Sequence, residues 1–199
     1  MSKLFCIMGK SASGKDTIFK HLIQDETLGV KTVVSYTTRP MREGEQDGVE
    51  YHFVTRAKLE ELKREGKVIE CRDYHTIHGV WSYFTVDDGQ VDFNSEQDSM
   101  IIGTLESYEQ IRIYYCKENV VPIYVNVEDG ERLTRALNRE KQQDAPKYLE
   151  LCRRFLADAE DFSEAKLKAC EIEKIYENIE IESGLADIRG DILAFRDER

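Results

Sequence analysis

Three groups of residues in this 199-residue chain have the types and spacing that handle phosphate. The first is Gly9-Lys10-Ser11-Ala12-Ser13-Gly14-Lys15-Asp16-Thr17, directly after the apolar run Leu4-Phe5-Cys6-Ile7-Met8. Two glycines allow the tight curl that turns successive N–H groups inward, and a helix that follows adds the positive end of its dipole. Gly9, Ser11, Ala12, Ser13 and Gly14 therefore read as a cradle for the phosphates of a nucleoside triphosphate, with Lys15 placing a full charge at the β/γ end. The spacing G-x-x-x-x-G-K fits the phosphate-loop template, except that Asp16 stands where the template has Ser or Thr, and Thr17 comes next. Asp16 and Thr17 are the candidates for Mg²⁺, and an aspartate there can hold it directly or through water. The plain alternative is a loop that only joins strand to helix.

The second group lies in the polar segment after residue 35. Arg39 and Arg42 are three apart with Tyr51 nearby, and arginine forks joined to a phenol make a seat for a phosphate monoester dianion. Glu70, at the end of the next strand, presents two acceptors side by side, which suits the N1–H and exocyclic amine of guanine. Adenine offers an acceptor where that carboxylate needs a donor. Alternatively, Arg39 and Arg42 pair with Glu43, Glu45 and Asp47 on a solvated loop. In the third group, Arg135 and Arg139 sit one helical turn apart, so their forks share a face, and Arg153 and Arg154 come from the next helix. A surface helix with scattered charges is the alternative there.

Positioning these groups requires strands that alternate with helices. Residues 16–25 have a helical apolar face, 31–35 are strand-like, and 36–50 form a polar, turn-rich loop. The pattern predicts strands at 51–54, 68–71, 100–103, 120–127 and 176–181. It predicts helices at 56–65, 105–116, 131–140, 146–174 and 185–195, and an aromatic antiparallel insert within 73–88 that turns near His78-Gly79. This is an α/β fold with a parallel sheet, whose ligands bind at the carboxyl ends of the strands. At this length one domain is expected.

Net charge −11 argues against a broad nucleic-acid surface, which draws on many basic residues gathered on one face. No apolar run reaches the length of a membrane helix or a cleavable signal, so no membrane partner is expected and the cytoplasm is the expected location. The five cysteines are scattered without metal spacing and read as reduced thiols; the four histidines do not suggest a metal site.

The run Ser35-Tyr36-Thr37-Thr38-Arg39-Pro40-Met41-Arg42-Glu43-Gly44-Glu45-Gln46-Asp47-Gly48-Val49-Glu50-Tyr51-His52-Phe53 resembles the GMP-binding signature of guanylate kinases. The phosphate loop stands at the matching distance before it. The likeness spans Gly9 to about Glu160 and is closest in the first third. It implies a P-loop parallel-sheet core (about 1–34, 100–130 and 160–199), a β-rich GMP-binding insert (about 35–90) and a helical lid (about 131–155). It further implies transfer of a phosphoryl group from ATP to GMP or dGMP with Mg²⁺. Arg39, Arg42 and Tyr51 carry over to the GMP phosphate, and Ser35 and Glu70 to the base. Tyr83 and Thr85 join the site through a Y-G-T/S motif that stands here as Tyr83-Phe84-Thr85. The family's lid pattern R-x-x-x-A-x-x-E appears as Arg153, Ala157 and Glu160, and Lys15, Arg39, Arg135, Arg139 and Arg153 become the catalytic candidates. The family's D-x-D-x-Q-G is replaced by Ile102-Gly103-Thr104-Leu105-Glu106-Ser107, which removes carboxylates expected near base and metal. Two other readings stay open: a kinase of the same fold acting on another phosphate ester, and a non-catalytic module of the same family.

Overall fold

A computed structural model of the protein describes residues 2–76 and 79–197. The apolar run near the N-terminus forms β1 (Leu4–Met8), with all five residues buried. The strand lies between β7 (Ser99–Ile102) and β8 (Val120–Asn126), and pairs with both in parallel. β2 (Lys31–Thr32) and β9 (Ile175–Glu177) complete a five-stranded parallel sheet in the order β2-β7-β1-β8-β9. Side chains alternate across a strand, so β1 feeds two cores. Phe5 and Ile7 pack with Ile18 and Leu22 of α1 (Lys15–Gln24) and with Ile188 and Ile192 of α7 (Ile181–Asp197). Leu4, Cys6 and Met8 pack with Leu105, Tyr108 and Ile111 of α3 (Leu105–Tyr115), and with Phe162.

A second sheet, in the order β4-β3-β6-β5, is built from residues 36–86. It contains β3 (Tyr36–Thr37), β4 (His52–Phe53), β5 (Val68–Thr76) and β6 (Gly79–Val86). β5 and β6 form the antiparallel hairpin, paired down to Thr76 and Gly79. The turn expected near His78-Gly79 involves His78, which lies outside the described residues. One face of the hairpin, with Phe84 and Val86, packs on Leu59 and Leu62 of α2 (Arg56–Arg64). Thr55 caps that helix by accepting from the Lys58 N–H.

Several expectations need correction. The strand expected over 31–35 stops at Thr32, because the Gln90 side chain takes both backbone groups of Val34 at 2.8 and 3.1 Å. The chain then crosses to the second sheet, so the supposed loop over 36–50 begins with β3. Residues 51–54 give a two-residue strand that pairs parallel to β3, so the insert is mixed and not purely antiparallel. The helix expected over 146–174 is broken into α5 (Tyr148–Asp161) and α6 (Glu164–Ala169). Phe162 leaves helical geometry at the break to bury its ring against Tyr124, with centroids 5.5 Å apart. The last strand ends at Glu177 and the last helix begins at Ile181, earlier than expected on both counts. The helix expected at 131–140 runs slightly longer as α4 (Asp129–Lys141).

Burial ranks these residues by their contribution to stability. Ile123→Ala, at a buried position of β8, should destabilise the protein by about 2–5 kcal/mol in urea unfolding. Leu149→Ala, where the side chain is 89% exposed, should stay within about 0.5 kcal/mol of the parent.

Candidate active site

The loop after β1 is held from below and from the side. A Cβ on Gly9 would approach the Val125 carbonyl oxygen to 2.4 Å, so only glycine lets the loop leave the sheet there. Gly14 is left-handed (φ 83°), and a Cβ would approach Asn178 Nδ2 to 2.3 Å. That same amide donates to the Ser13 carbonyl at 2.7 Å and anchors the loop to the end of β9. Ala12 is also left-handed (φ 63°), a conformation that strains a residue bearing a Cβ. Gly14 stands at the N-terminus of α1, where the first amides of the helix face outward.

The side wall comes from α4 and α5. Arg132 is buried, stacks over the Phe155 ring at 4.4 Å and donates to Asp129, to Asp158 and to the Ser11 carbonyl. Asp158 accepts the Ser11 N–H at 2.7 Å, and Lys10 pairs with Asp129 at 3.1 Å. Arg154 donates to the Ser11 hydroxyl at 3.0 Å. The Ser11 amide, expected to face phosphate, therefore joins the loop to α5.

The expected arginine face on α4 splits. Arg139 lines a cleft of about 1110 Å³ together with Ser11, Arg42, Arg132, Arg153 and Arg154. Arg135 instead pairs with Glu131 at 2.9 Å and donates to the Ile179 carbonyl at 3.0 Å, and is not among the residues lining the cleft. The spacing along α4 puts Arg132 on the cleft side because it lies seven residues before Arg139. Arg153 points into the cleft beside its own Glu150, at 2.6 Å.

Across the cleft, Arg39 is buried beneath two rings, its guanidinium 5.4 Å from the Tyr51 centroid and 5.2 Å from that of Phe53. Both terminal nitrogens donate to Glu45, at 2.7 and 2.6 Å. The pairing of Arg39 with an acid of its own loop is thus real, but it is buried and not solvated. The buried Arg39 Nε has no hydrogen-bond partner among the described residues. Glu45 also accepts the Arg42 N–H, which leaves the Arg42 side chain exposed at the cleft. Burial, helped by nearby Tyr83, raises the Tyr51 phenol above its ordinary range, so it stays a donor.

Glu70 owes its direction to a break in the hairpin. The register shifts between Val68, opposite Val86, and Glu70, opposite Thr85. A bulge there turns Glu70 away from the core face of Val68 and onto the face of Tyr83 and Thr85. Thr85 donates to Glu70 at 2.8 Å, and Arg72 donates to both carboxylate oxygens, at 2.9 and 3.3 Å. Arg72 also reaches Thr104 at 3.2 Å. Burial opposes the Arg72 charge, but neighbouring Glu70 prevails and holds its pKa above the ordinary value. Sequence reasoning missed Arg72, although the two-residue period of a strand from Glu70 points to it. It missed Arg132 as well, while Asp158 and Asn178 carried no local signal. Ser35 is half-buried in the link from β2 to β3, where its carbonyl accepts from the His52 N–H.

Lys15 is mostly buried, with Nζ 3.4 Å from Asp16. Asp16 is exposed, and its charge adds slightly to the upward push on the Tyr51 phenol. Thr17 is also exposed, but successive helical residues point about 100° apart, so it does not share the direction of Asp16. Among the described residues there is no cluster of three acidic, histidine or cysteine groups fit for a metal.

A parallel sheet with a glycine loop after its central strand, facing an arginine-lined cleft, defines a P-loop nucleotide-binding protein of the α/β class. The sequence model of the guanylate kinase family matches residues 1–183, and the chain belongs to that family. It is 30% identical over 193 residues to the guanylate kinase of Methylobacillus flagellatus, covering 97% of this chain and 89% of that one. Against the guanylate kinase of Nitrosomonas europaea it is 27% identical, covering 98% and 91%. The crystal structure of guanylate kinase from Anaplasma phagocytophilum superposes with a TM-score of 0.64 at 20% identity, covering 98% of this chain and 86% of that one, a likeness of fold.

Two charge networks yield measurable expectations. Arg132→Ala would leave Asp158 unpaired beside the loop and should destabilise the protein by about 3–5 kcal/mol in urea unfolding. The Arg39 hydrogen bonds hold the Glu45 pKa down at about 2, from an ordinary 4.5. A depressed folded-state pKa stabilises above the unfolded value, so this contribution is present above pH 4.5 and fades as pH falls toward 2. Glu45→Gln should flatten the acid limb of stability against pH across that window.

Proposed function

We propose that the protein is an ATP:GMP phosphotransferase that moves the γ-phosphoryl group of ATP to GMP or dGMP. One observation carries the reading beyond family membership: a single cleft is lined by Ser11 of the phosphate loop, Arg42 of the acceptor loop, and Arg139 and Arg153 of α4 and α5. Phosphoryl transfer asks for alignment and charge neutralisation more than for covalent chemistry. The acceptor phosphate is already anionic, so no general base is needed.

Lys15 and the amides at the start of α1 hold the β- and γ-phosphates of ATP. The unpartnered Arg39 Nε–H, the exposed Arg42 fork and the protonated Tyr51 hold the acceptor phosphate. Glu45 and the Pro40 carbonyl take three of the five Arg39 N–H groups and fix the plane of the guanidinium, so the two left over are oriented before substrate arrives. Arg139 and Arg153 neutralise charge on the transferring group, and the segment 131–155 acts as the lid that excludes water. Arg135 serves instead as a brace between α4 and the chain after β9. Glu70, Thr85, Tyr83 and Ser35 surround the base. This arrangement supports catalysis over the non-catalytic reading, because the lysine and the cleft arginines are superfluous to a binding module.

Mg²⁺ is expected with ATP. It takes few protein ligands and retains waters and phosphate oxygens, so the single exposed carboxylate of Asp16 at the head of α1 fits it without a preformed cage. Bound there, the ion would supply neutralisation of the phosphate charge, with Asp16 as the residue that would hold it. The free state of all five cysteines agrees with a reducing compartment, the cytoplasm.

An ADP-release assay across GMP, dGMP, AMP, UMP and ribose phosphates tests the reading. Turnover with the guanine nucleotides is expected, and none with either would overturn it. Lys15→Ala should abolish turnover while GMP still binds. Arg42→Ala should weaken GMP binding by roughly 1.5–3 kcal/mol by calorimetry, the value of a hydrogen bond to a charged group. Arg42 is the cleaner probe, since Arg39→Ala would also strand Glu45.

A further inference from the structure

The base end of the site is more occupied than recognition of guanine by Glu70 alone requires. A carboxylate offers about four lone-pair positions, two on each oxygen. On Glu70, Oε1 accepts from Thr85 Oγ1 at 2.8 Å and from Arg72 Nη2 at 3.3 Å. Oε2 accepts from Arg72 Nε at 2.9 Å, so one position remains, on Oε2. The Glu70 side chain is fully buried and that of Arg72 is 12% exposed, so solvent does not compete for this pair. Thr104 gives no relief: its hydroxyl oxygen already accepts from Arg72 Nη1 at 3.2 Å and from the Ser107 N–H at 3.2 Å. Ile102 and Gly103 beside it bring no acceptor side chain.

We infer that Arg72 is a specificity-determining residue that takes one edge of Glu70 and widens the acceptor class from guanine to 6-oxopurine nucleoside monophosphates in general. The inference rests on the reading of Glu70 as the base contact. A 6-oxopurine carries an N1–H, which the open Oε2 position accepts. The 2-amino group that separates guanine from hypoxanthine is left without a charged partner, because the second oxygen is saturated by Arg72 and Thr85. Two free N–H groups of the Arg72 fork remain to meet a carbonyl oxygen of the base. The protein then gains little from the 2-amino group.

The decisive measurement is kcat/KM for GMP against IMP, paired with calorimetric binding of each nucleotide. The wild-type ratio should lie within roughly tenfold, the worth of one ordinary hydrogen bond. Arg72→Lys retains the charge that Glu70 needs but removes the fork and frees a carboxylate position. Its GMP:IMP ratio should rise by roughly tenfold or more, as expected for a bond regained to a charged acceptor. An arginine with only a structural role would lower both substrates together and leave the ratio unchanged. That result, or a wild-type enzyme that rejects IMP by more than a hundredfold, overturns the inference. If the lysine variant does not fold, the wild-type ratio decides alone. Wild-type protein that binds neither nucleotide would defeat the acceptor reading itself and this inference with it, whereas GMP binding with strict rejection of IMP would defeat this inference only.

Discussion

The burial of β1 on both faces is the constraint on which the remaining structure depends. Its five residues are inaccessible to water, its backbone is paired to β7 and β8, and neither face can be left bare. One face therefore takes α1 and α7, and the other takes α3 and the Phe162 ring. The chain has one exit, upward from Met8, and it must turn at once into α1 to cover the sheet. The glycines at 9 and 14 make that turn sterically possible, because a side chain at either would strike Val125 or Asn178. The phosphate loop is thus a consequence of the way a doubly buried strand ends.

Around that loop, an acidic protein makes a basic cleft by deciding which arginines are spent on its own acids. Arg39, Arg72 and Arg132 lie against Glu45, Glu70 and Asp158 at 2.6–3.1 Å. Buried charges require such partners, and these pairs are better understood as devices that fix geometry than as net sources of stability. Arg42 and Arg139 make no ion pair among the described residues and stand exposed at the cleft. Burial against an acid sets position, and exposure at the cleft keeps the charge of Arg42 and Arg139 at its surface.

The departures from the family pattern fall at two places, the head of α1 and the start of α3. At the loop, Asp16 adds a carboxylate where a hydroxyl is usual. At the head of α3, Thr104 stands where the family motif has a carboxylate, and it accepts from Arg72. The buried Arg72–Glu70 pair is neutral as a unit, so the loss of acid at Thr104 does not leave an unbalanced cation. The charge arrangement of the site differs from the family pattern while the fold that carries it does not.

Local pattern carried much of this. The strand, glycine loop and helix at the N-terminus, the arginine and tyrosine signature through Phe53, and the alternation of strands and helices were legible because each depends on neighbours in sequence. Glu70, Arg39 and Arg42 were named on chemistry alone. Tertiary structure decided what these residues face, because facing depends on contacts between segments far apart in the chain. A bulge after Val68 turns Glu70 onto the face of Tyr83 and Thr85, Gln90 holds Val34 from 56 residues away and so ends β2, and Ile179 draws Arg135 out of the cleft while Arg139 stays. Asp158 reaches the Ser11 amide across 147 residues, a distance at which no periodicity or propensity carries information. The sequence by itself determined which groups exist and which elements bear them. Their directions, and the partners that occupy them, were set only when the two sheets and the arginine-bearing helices packed together.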